Sequence, residues 1–312
     1  MCTGIIILNY NSSDYTIKCI QSIEQYNTAE IRYFIVDNGS TKKDETCRIE
    51  EFLQSEFPDQ YIKCAGQVFP ANKAKVVFIL NPLNEGFAKG NNRGIRCAFC
   101  DPDIENILVV NNDILFTSDI LPVLLSTRKQ LRVPGILTPV LFNLNGPPEY
   151  SCARRIPSNW EIILPFLFFK KDFYHILSKS SNSQKLLKIN PTLLHESFFP
   201  IGMPSGAFMF MEKRIWKELN GLDEGTFLYY EENILCKKLS EKGYINYCIP
   251  AVQALHIGGA STSKSNNLFL QKCNLHSADY YLCKYAGLTP LQHFVWWLVK
   301  SAWRLKFIFK YA

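Results

Sequence analysis

The sequence predicts an α/β fold, a mostly parallel sheet with helices on both faces, and three observations predict it. Short β-branched runs recur along the chain, stretches with helical spacing separate them, and each of the first four runs ends in a polar cluster. Strands that alternate with helices form βαβ units, and their parallel strands are buried on both faces, so they read as continuous apolar runs.

Gly4 to Leu8 is the first such run, because Ile5, Ile6, Ile7 and Leu8 follow without a polar break. A helix is expected over Ser12 to Tyr26, where Ser12 or Ser13 can cap the start and Ile17, Ile20 and Ile23 recur at helical spacing. That helix supplies the right-handed crossover to a second strand over Ile31 to Val36. Val76 to Leu80 and Ile107 to Val110 complete the set of buried parallel strands. From Pro157 to Pro200 the pattern gives way to aromatics, Lys170-Lys171 and the polar stretch Ser178 to Ser183, which reads as a variable, partly mobile insertion. An apolar strand over Ala207 to Met211, helices near Glu212 to Leu219 and Glu231 to Lys242, and a strand near Ile245 to Ile249 follow. From Ser263 onward the chain reads as helical and rich in aromatics.

Composition narrows the class. A chain of 312 residues with 47% hydrophobic and 13% aromatic content can fill a sizeable core, which excludes a disordered protein. The net charge of +6 suits anionic partners such as diphosphates or acidic lipid. The basic residues are spread along the chain rather than gathered in a stripe with interleaved aromatics, so no nucleic-acid partner is expected. Eleven cysteines, an odd number, do not form the framework of a small secreted domain and favour a reducing compartment. Cys97 and Cys100 form a lone CxxC without a second ligand pair, so both are expected on a buried helix face rather than at zinc. No leader segment is legible before the first strand, and no apolar run reaches the roughly 18 residues of a membrane span. A cytoplasmic protein is expected.

The four polar clusters are Asn9-Tyr10-Asn11, Asp37-Asn38-Gly39-Ser40, Asn81 to Asn84, and Asn111-Asn112-Asp113. Ligands of open α/β sheets bind at the carboxyl ends of the strands, so these clusters should converge on one crevice. No glycine-rich GxGxxG follows the first strand, which argues against a dehydrogenase.

Seven segments in order, NYNSSDYTIKCIQSI, VDNGST, NEGFAKGNNRGI, NND, PSGAFMF, LDEGTFLYYEE and HIGGAST, resemble the inverting GT-A glycosyltransferases of the second family, especially the bacterial branch with rhamnosyltransferases of cell-surface polysaccharides. The resemblance implies a GT-A domain over 1–262, with a nucleotide-binding part over 1–142, the insertion over 143–200 and an acceptor and catalytic part over 201–262. A helical, membrane-proximal segment over 263–312 would follow.

The resemblance also implies roles. Asp37 would accept the imide N–H of uracil or thymine, with Asn9, Tyr10 and Asn11 nearby. Asn84, Gly86, Lys89, Asn91, Asn92 and Arg93 would line a diphosphate site at a helix start. Asp113, the only acid of its cluster, would hold Mg2+ or Mn2+ with the donor diphosphate and with His256, next to Asn112. Ser205 and Gly206 would line the sugar pocket. Of Glu231 and Glu232, the second matches the family's general base and the first would orient neighbours. Each residue has an ordinary structural alternative: a turn for Asp37, a helix cap for Asp113, a packed imidazole for His256, a solvated charge for Lys89 or Arg93, and helix-start chemistry for the glutamates. This chain has Ile234 where relatives carry a further Asp, which supports the rival reading of a catalytically silent nucleotide-sugar-binding protein.

The implied reaction moves a sugar from dTDP-rhamnose or a UDP-hexose to a lipid-linked saccharide. In the tail, Phe294, Val295, Trp296, Trp297, Leu298, Trp303, Phe307 and Phe309 alternate with Lys300, Arg304, Lys306 and Lys310, which suits peripheral attachment to an anionic membrane on the cytoplasmic face. Packing of that helix on the protein's own core, or on a second copy in a homo-oligomer, is the alternative.

Overall fold

The computed structural model describes residues 1–65, 74–144, 146–167, 185–258 and 267–309, the side chains of 65, 267, 308 and 309 excepted. Its centre is one mixed sheet. Strands β1 (Cys2–Asn9), β2 (Ile31–Asn38), β3 (Tyr61–Ala65), β4 (Val76–Asn81) and β5 (Ile104–Asn111) form a parallel half in the order β3-β4-β2-β1-β5. The four expected strands are there, each longer than its apolar run because the polar residues at its end still pair, as Asn9 does with Asp37.

Beyond β5 the sheet turns mixed. β9 (Phe208–Glu212) runs antiparallel between β5 and β7 (Pro134–Asn143), and β10 (Ile245–His256) lies parallel to β7. Short β6 (Ile114–Phe116) and β8 (Phe199–Ile201) pair antiparallel with β10. The expected strand from Ile245 thus continues to His256, which ends the strand instead of following it. Asp113 is followed by β6 and not by a helix, so it is not a helix cap; Asp119 takes that place before α4 (Ile120–Gln130).

Helices cover both faces. Helices α1 (Ser13–Tyr26), α2 (Glu45–Glu56) and α4 close one face through Ile20, Ile23, Ile49, Leu53 and Leu124. Helices α3 (Phe87–Cys100), α7 (Lys213–Leu219) and α8 (Glu231–Glu241) close the other through Ile95, Trp216 and Leu239. The start of α1 is not capped by a serine side chain: the Glu45 carboxylate from α2 accepts from the Ser13 N–H at 2.6 Å. Cys97 is buried on α3, but Cys100, three positions on, is exposed, so the CxxC does not lie on one buried face.

The stretch read as a variable insertion is built into the domain where it is described. Cys152 and Ala153 belong to the main core, β8 extends the sheet, and α5 (Asn159–Ile163) packs against the C-terminal helices α9 (Asn267–Lys284) and α10 (Pro290–Phe309). Lys170-Lys171 and Ser178 to Ser183 lie outside the described residues. α6 (Leu186–Ile189) completes the helices named here. Helix α10 is not wholly surface: Trp296, Val299 and Trp303 are buried with Phe166, Trp303 donates to the Phe166 carbonyl at 2.7 Å, and Lys300 pairs with Asp279 at 2.8 Å. Its opposite side exposes Leu291, Phe294, Trp297, Leu298 and Leu305.

Candidate active site

The strand ends converge as expected, and an asparagine network holds them. Asn9 is fully buried, with Nδ2 donating to Asp37 Oδ1 and Ser40 Oγ at 3.1 Å each and Oδ1 accepting from Ser12 and Thr16. Asn112 donates to Ser12 Oγ at 2.8 Å and Thr16 Oγ1 at 2.9 Å. Asn38 links Asn84 and Asn81. Buried amides must find partners: Asn38 finds Asn81 and Asn84, while Asn9 and Asn112 are joined through the Ser12 and Thr16 hydroxyls. Asn9 and Asn112, expected at the donor, brace the strand ends through these bonds.

Asp37 is buried at the end of β2, where Ser40 and Asn9 donate to Oδ1 and Thr46 to Oδ2. Its carboxylate retains acceptor capacity, since each ionised oxygen can take two donors. Asn11 sits in the left-handed region at φ 54° and accepts from the backbone of Thr41 and Lys42, closing the loop beside partly exposed Tyr10.

The NEGFAKGNNRGI segment makes close contacts of its own within the fold. A Cβ at Gly86 would come within 2.3 Å of the Phe227 carbonyl, and the Phe87 N–H donates to that carbonyl at 2.8 Å. The start of α3 is thus covered by the loop before α8. Gly90 allows close packing of α3 on Leu8, Arg93 forms a two-point ion pair with Glu85, and Asn92 holds Leu222 and Glu224. Asn91 is buried and donates to the Phe87 carbonyl, while Lys89 is exposed. Gly86, Gly90 and Asn92 secure the helix to the sheet and to the 222–227 loop, a job polarity alone does not distinguish from phosphate binding.

Asp113 is buried, and its Oδ1 accepts no hydrogen bond; His256 Nε2 lies 3.3 Å from it. The other ring nitrogen, Nδ1, lies 2.5 Å from Glu149 Oε2. Burial works to lower the His256 pKa, but the Asp113 and Glu149 carboxylates overcome it and lift it to about 10. The Glu149 carboxyl is held below its usual range: burial opposes this, but His256, the Ser151 hydroxyl and Arg154 prevail. Asp113 Oδ1, which accepts no hydrogen bond, and the imidazole nitrogen facing it fit a divalent cation that displaces the imidazole proton. Among the described residues no group of three or more His, Cys, Asp or Glu is arranged to hold one.

Glu231 and Glu232 open α8 and diverge. Glu231 is 4% exposed and accepts from Thr226 Oγ1 at 3.0 Å. Burial, with the neighbouring Glu232 charge, pushes its carboxyl up to about 8. Glu232 is partly exposed, with Oε1 accepting from Arg154 Nη2 at 3.1 Å and Oε2 turned to Gly206, 3.8 Å from where a Cβ there would stand. Ser205 Oγ accepts from the Ala207 N–H, and the Ala207 carbonyl accepts from Asn111 at 2.9 Å. Gly206 thus faces Glu232, and its neighbour Ala207 is tied to Asn111 at the end of β5, two residues before Asp113. Glu149 and Arg154 were not legible as site residues; both lie in the insertion, within no recognisable motif.

A profile of glycosyl transferase family 2 matches residues 4–217, more than half of the chain. The chain belongs to that family. As a family 2 glycosyltransferase it is 22% identical over 97% of its length to an N-acetylglucosaminyl-diphospho-decaprenol L-rhamnosyltransferase of Mycobacterium tuberculosis, of which the match covers 88%. It is 23% identical over 81% of its length to the low-salt glycan biosynthesis hexosyltransferase Agl10 of Haloferax volcanii, covering 66% of that protein. Its fold resembles GalNAc-T7 solved with UDP, GalNAc and Mn2+, with a TM-score of 0.61 and 12% identity over 90% of this chain but 47% of that one. It also resembles the mannosyltransferase PcManGT of Pyrobaculum calidifontis in complex with GDP-Man and Mn2+, with a TM-score of 0.54 and 13% identity over 93% of this chain and 66% of that one. These likenesses establish a GT-A architecture for the glycosyltransferase.

Proposed function

We propose that this glycosyltransferase moves a sugar from dTDP-rhamnose or a UDP-hexose to a lipid-linked saccharide, with inversion at the anomeric carbon, in the assembly of a cell-surface polysaccharide. The observation that supports the reading is Gly206, which faces the partly exposed Glu232 carboxylate and precedes Ala207, whose carbonyl accepts from Asn111 at the strand end that leads to Asp113 and His256. The rhamnosyltransferase and hexosyltransferase names of the relatives support the donor and acceptor classes.

In this reading Asp37 accepts from the donor base, and Asn9, Ser40 and Thr46 keep its carboxylate fixed. Asp113 and His256 would hold Mg2+ or Mn2+ together with donor diphosphate oxygens; when bound, the ion supplies neutralising charge for the departing nucleoside diphosphate. Glu149 fixes the imidazole from behind through Nδ1. Glu232 Oε2 removes the acceptor hydroxyl proton as that oxygen attacks the anomeric carbon on the face opposite the leaving group. Glu231, buried and neutral at pH 7, supports the loop instead.

The exposed side of α10 supports attachment to the cytoplasmic face, where a lipid-linked acceptor would be met. Leu291, Phe294, Leu298 and Leu305 recur at helical spacing, with Trp297 and Arg304 alongside. Among the described residues no helix is long and apolar enough to cross a membrane.

The test is a panel of dTDP-rhamnose, UDP-glucose, UDP-galactose and UDP-N-acetylglucosamine with lipid-linked saccharide acceptors, read as release of nucleoside diphosphate. Acceptor-dependent release from one donor is expected. Binding without release from any of them would instead make the chain a catalytically silent nucleotide-sugar-binding protein.

A further inference from the structure

We infer that Arg154 is a positioning residue for the general base, clamping Glu232 so that Oε2 alone faces the acceptor. The inference rests on the reading of Glu232 as base. Arg154 Nη2 donates to Glu232 Oε1 at 3.1 Å and to the Pro204 carbonyl at 3.0 Å, and Nε donates to the Ser151 carbonyl at 3.1 Å. The guanidinium is thus fixed at three points, two of them backbone.

The backbone of Arg154 is fixed as well. Its N–H donates to Met203 O at 3.0 Å, and its carbonyl accepts from Gly202 and Met203 at 2.9 and 2.8 Å. That pairing ties Arg154 to the segment that runs through Pro204 and Ser205 into Gly206, the residue facing Glu232. One rigid unit therefore carries both the clamp and the open space beside the base.

A surface ion pair of this kind would contribute little, because solvent screens it and two long side chains lose their freedom. Here the side chains are only 17% and 21% exposed, and the guanidinium is already ordered by carbonyls. What remains for it to do is to select one rotamer of a glutamate on the first turn of α8. A glutamate without that partner would swing about its side-chain torsions, and misplacement of a base by about 1 Å costs up to roughly a hundredfold in rate. Since Oε1 is turned to Arg154 and Oε2 to Gly206, proton transfer is assigned to Oε2, and the absence of a side chain at Gly206 keeps the approach to that atom open.

The experiment compares Arg154→Lys, Arg154→Ala, Glu232→Gln and the double variant Arg154→Ala with Glu232→Gln in the full chain, using the nucleotide-sugar of the panel that turns over. Lysine keeps the charge but cannot reach Ser151 O, Pro204 O and Glu232 Oε1 together. Both Arg154 variants should lower kcat about tenfold or more and leave KM for the nucleotide-sugar within about threefold. Added guanidinium ion should restore part of the kcat of Arg154→Ala and none of that of Glu232→Gln. In the Glu232→Gln background Arg154→Ala should add less than about twofold, because residues acting as a unit are not additive. Wild-type kcat in Arg154→Lys, the variant that keeps the charge if alanine disturbs folding, overturns the inference, and so does a loss that multiplies with that of Glu232→Gln. Wild-type turnover in Glu232→Gln removes the base reading itself, a failure distinct from that of the clamp.

Discussion

Glu149 Oε2 stands 2.5 Å from His256 Nδ1, on the far side of the imidazole from Asp113. A carboxylate behind a ligating histidine fixes the ring and its tautomer, and its loss typically weakens metal affinity 10- to 100-fold, to order of magnitude. Glu149→Gln should weaken Mn2+ binding to that extent, measured by calorimetry or by the electron paramagnetic resonance of bound Mn2+. Unchanged affinity would leave Glu149 as a packing residue only.

Glu231 and Glu232 should separate by pH and by rate. The Glu231 carboxyl is raised to about 8, first by burial and then by Glu232, while the Thr226 hydroxyl and the backbone N–H groups of Glu231 and Tyr229 oppose the rise. The folded state therefore keeps a proton that the unfolded chain loses near the ordinary carboxyl value of 4.5, so this group's contribution to stability falls as pH climbs from about 4.5 to about 8. Glu231→Gln should melt higher than wild type near pH 8, the difference narrowing toward about pH 5, with turnover retained. Glu232→Gln should lose about a hundredfold or more in kcat. The opposite allocation of losses would transfer the base role to Glu231.

Asp37→Ala should raise KM for the nucleotide-sugar more than it lowers kcat, because a contact to the base is made equally in ground and transition states. It should also destabilise the fold by about 1–3 kcal/mol, since Asn9, Ser40 and Thr46 lose their buried acceptor. Calorimetry of nucleotide binding checks the first effect and thermal melting the second; unchanged nucleotide affinity would count against the base contact.

The two sides of α10 should respond differently. Trp303→Ala empties a core site against Phe166 and should cost roughly 3–5 kcal/mol. Changing Phe294 and Trp297 to Glu should leave melting unchanged while abolishing sedimentation with anionic vesicles. Retained vesicle binding would refute the anchor, and a change from oligomer to monomer in that variant would assign the face to a second copy of the chain.

How legible these features were follows from their physical range. The parallel strands β1, β2, β4 and β5 were readable because burial on both faces demands a continuous apolar run, and the crevice was readable because each run ends in polar residues. The bracing bonds of Asn9, Asn92 and Asn112 were not legible because an asparagine that braces and one that binds have the same chemistry, and their partners are distant in sequence or backbone. Glu149 and Arg154 were hidden because their partners lie 107 and 78 positions away and no local pattern marks such a pair. Trp296 and Trp303 looked like surface aromatics because α10 carries apolar residues around much of its circumference, so spacing could not say which side packs inward.

The central claim, displacement at the anomeric carbon assisted by Glu232, is tested most directly by the anomeric configuration of the first product, read by proton NMR during turnover of the active nucleotide-sugar. A product of configuration opposite to the donor, formed by wild type and lost in Glu232→Gln, is predicted. A product that retains the donor's configuration would contradict it.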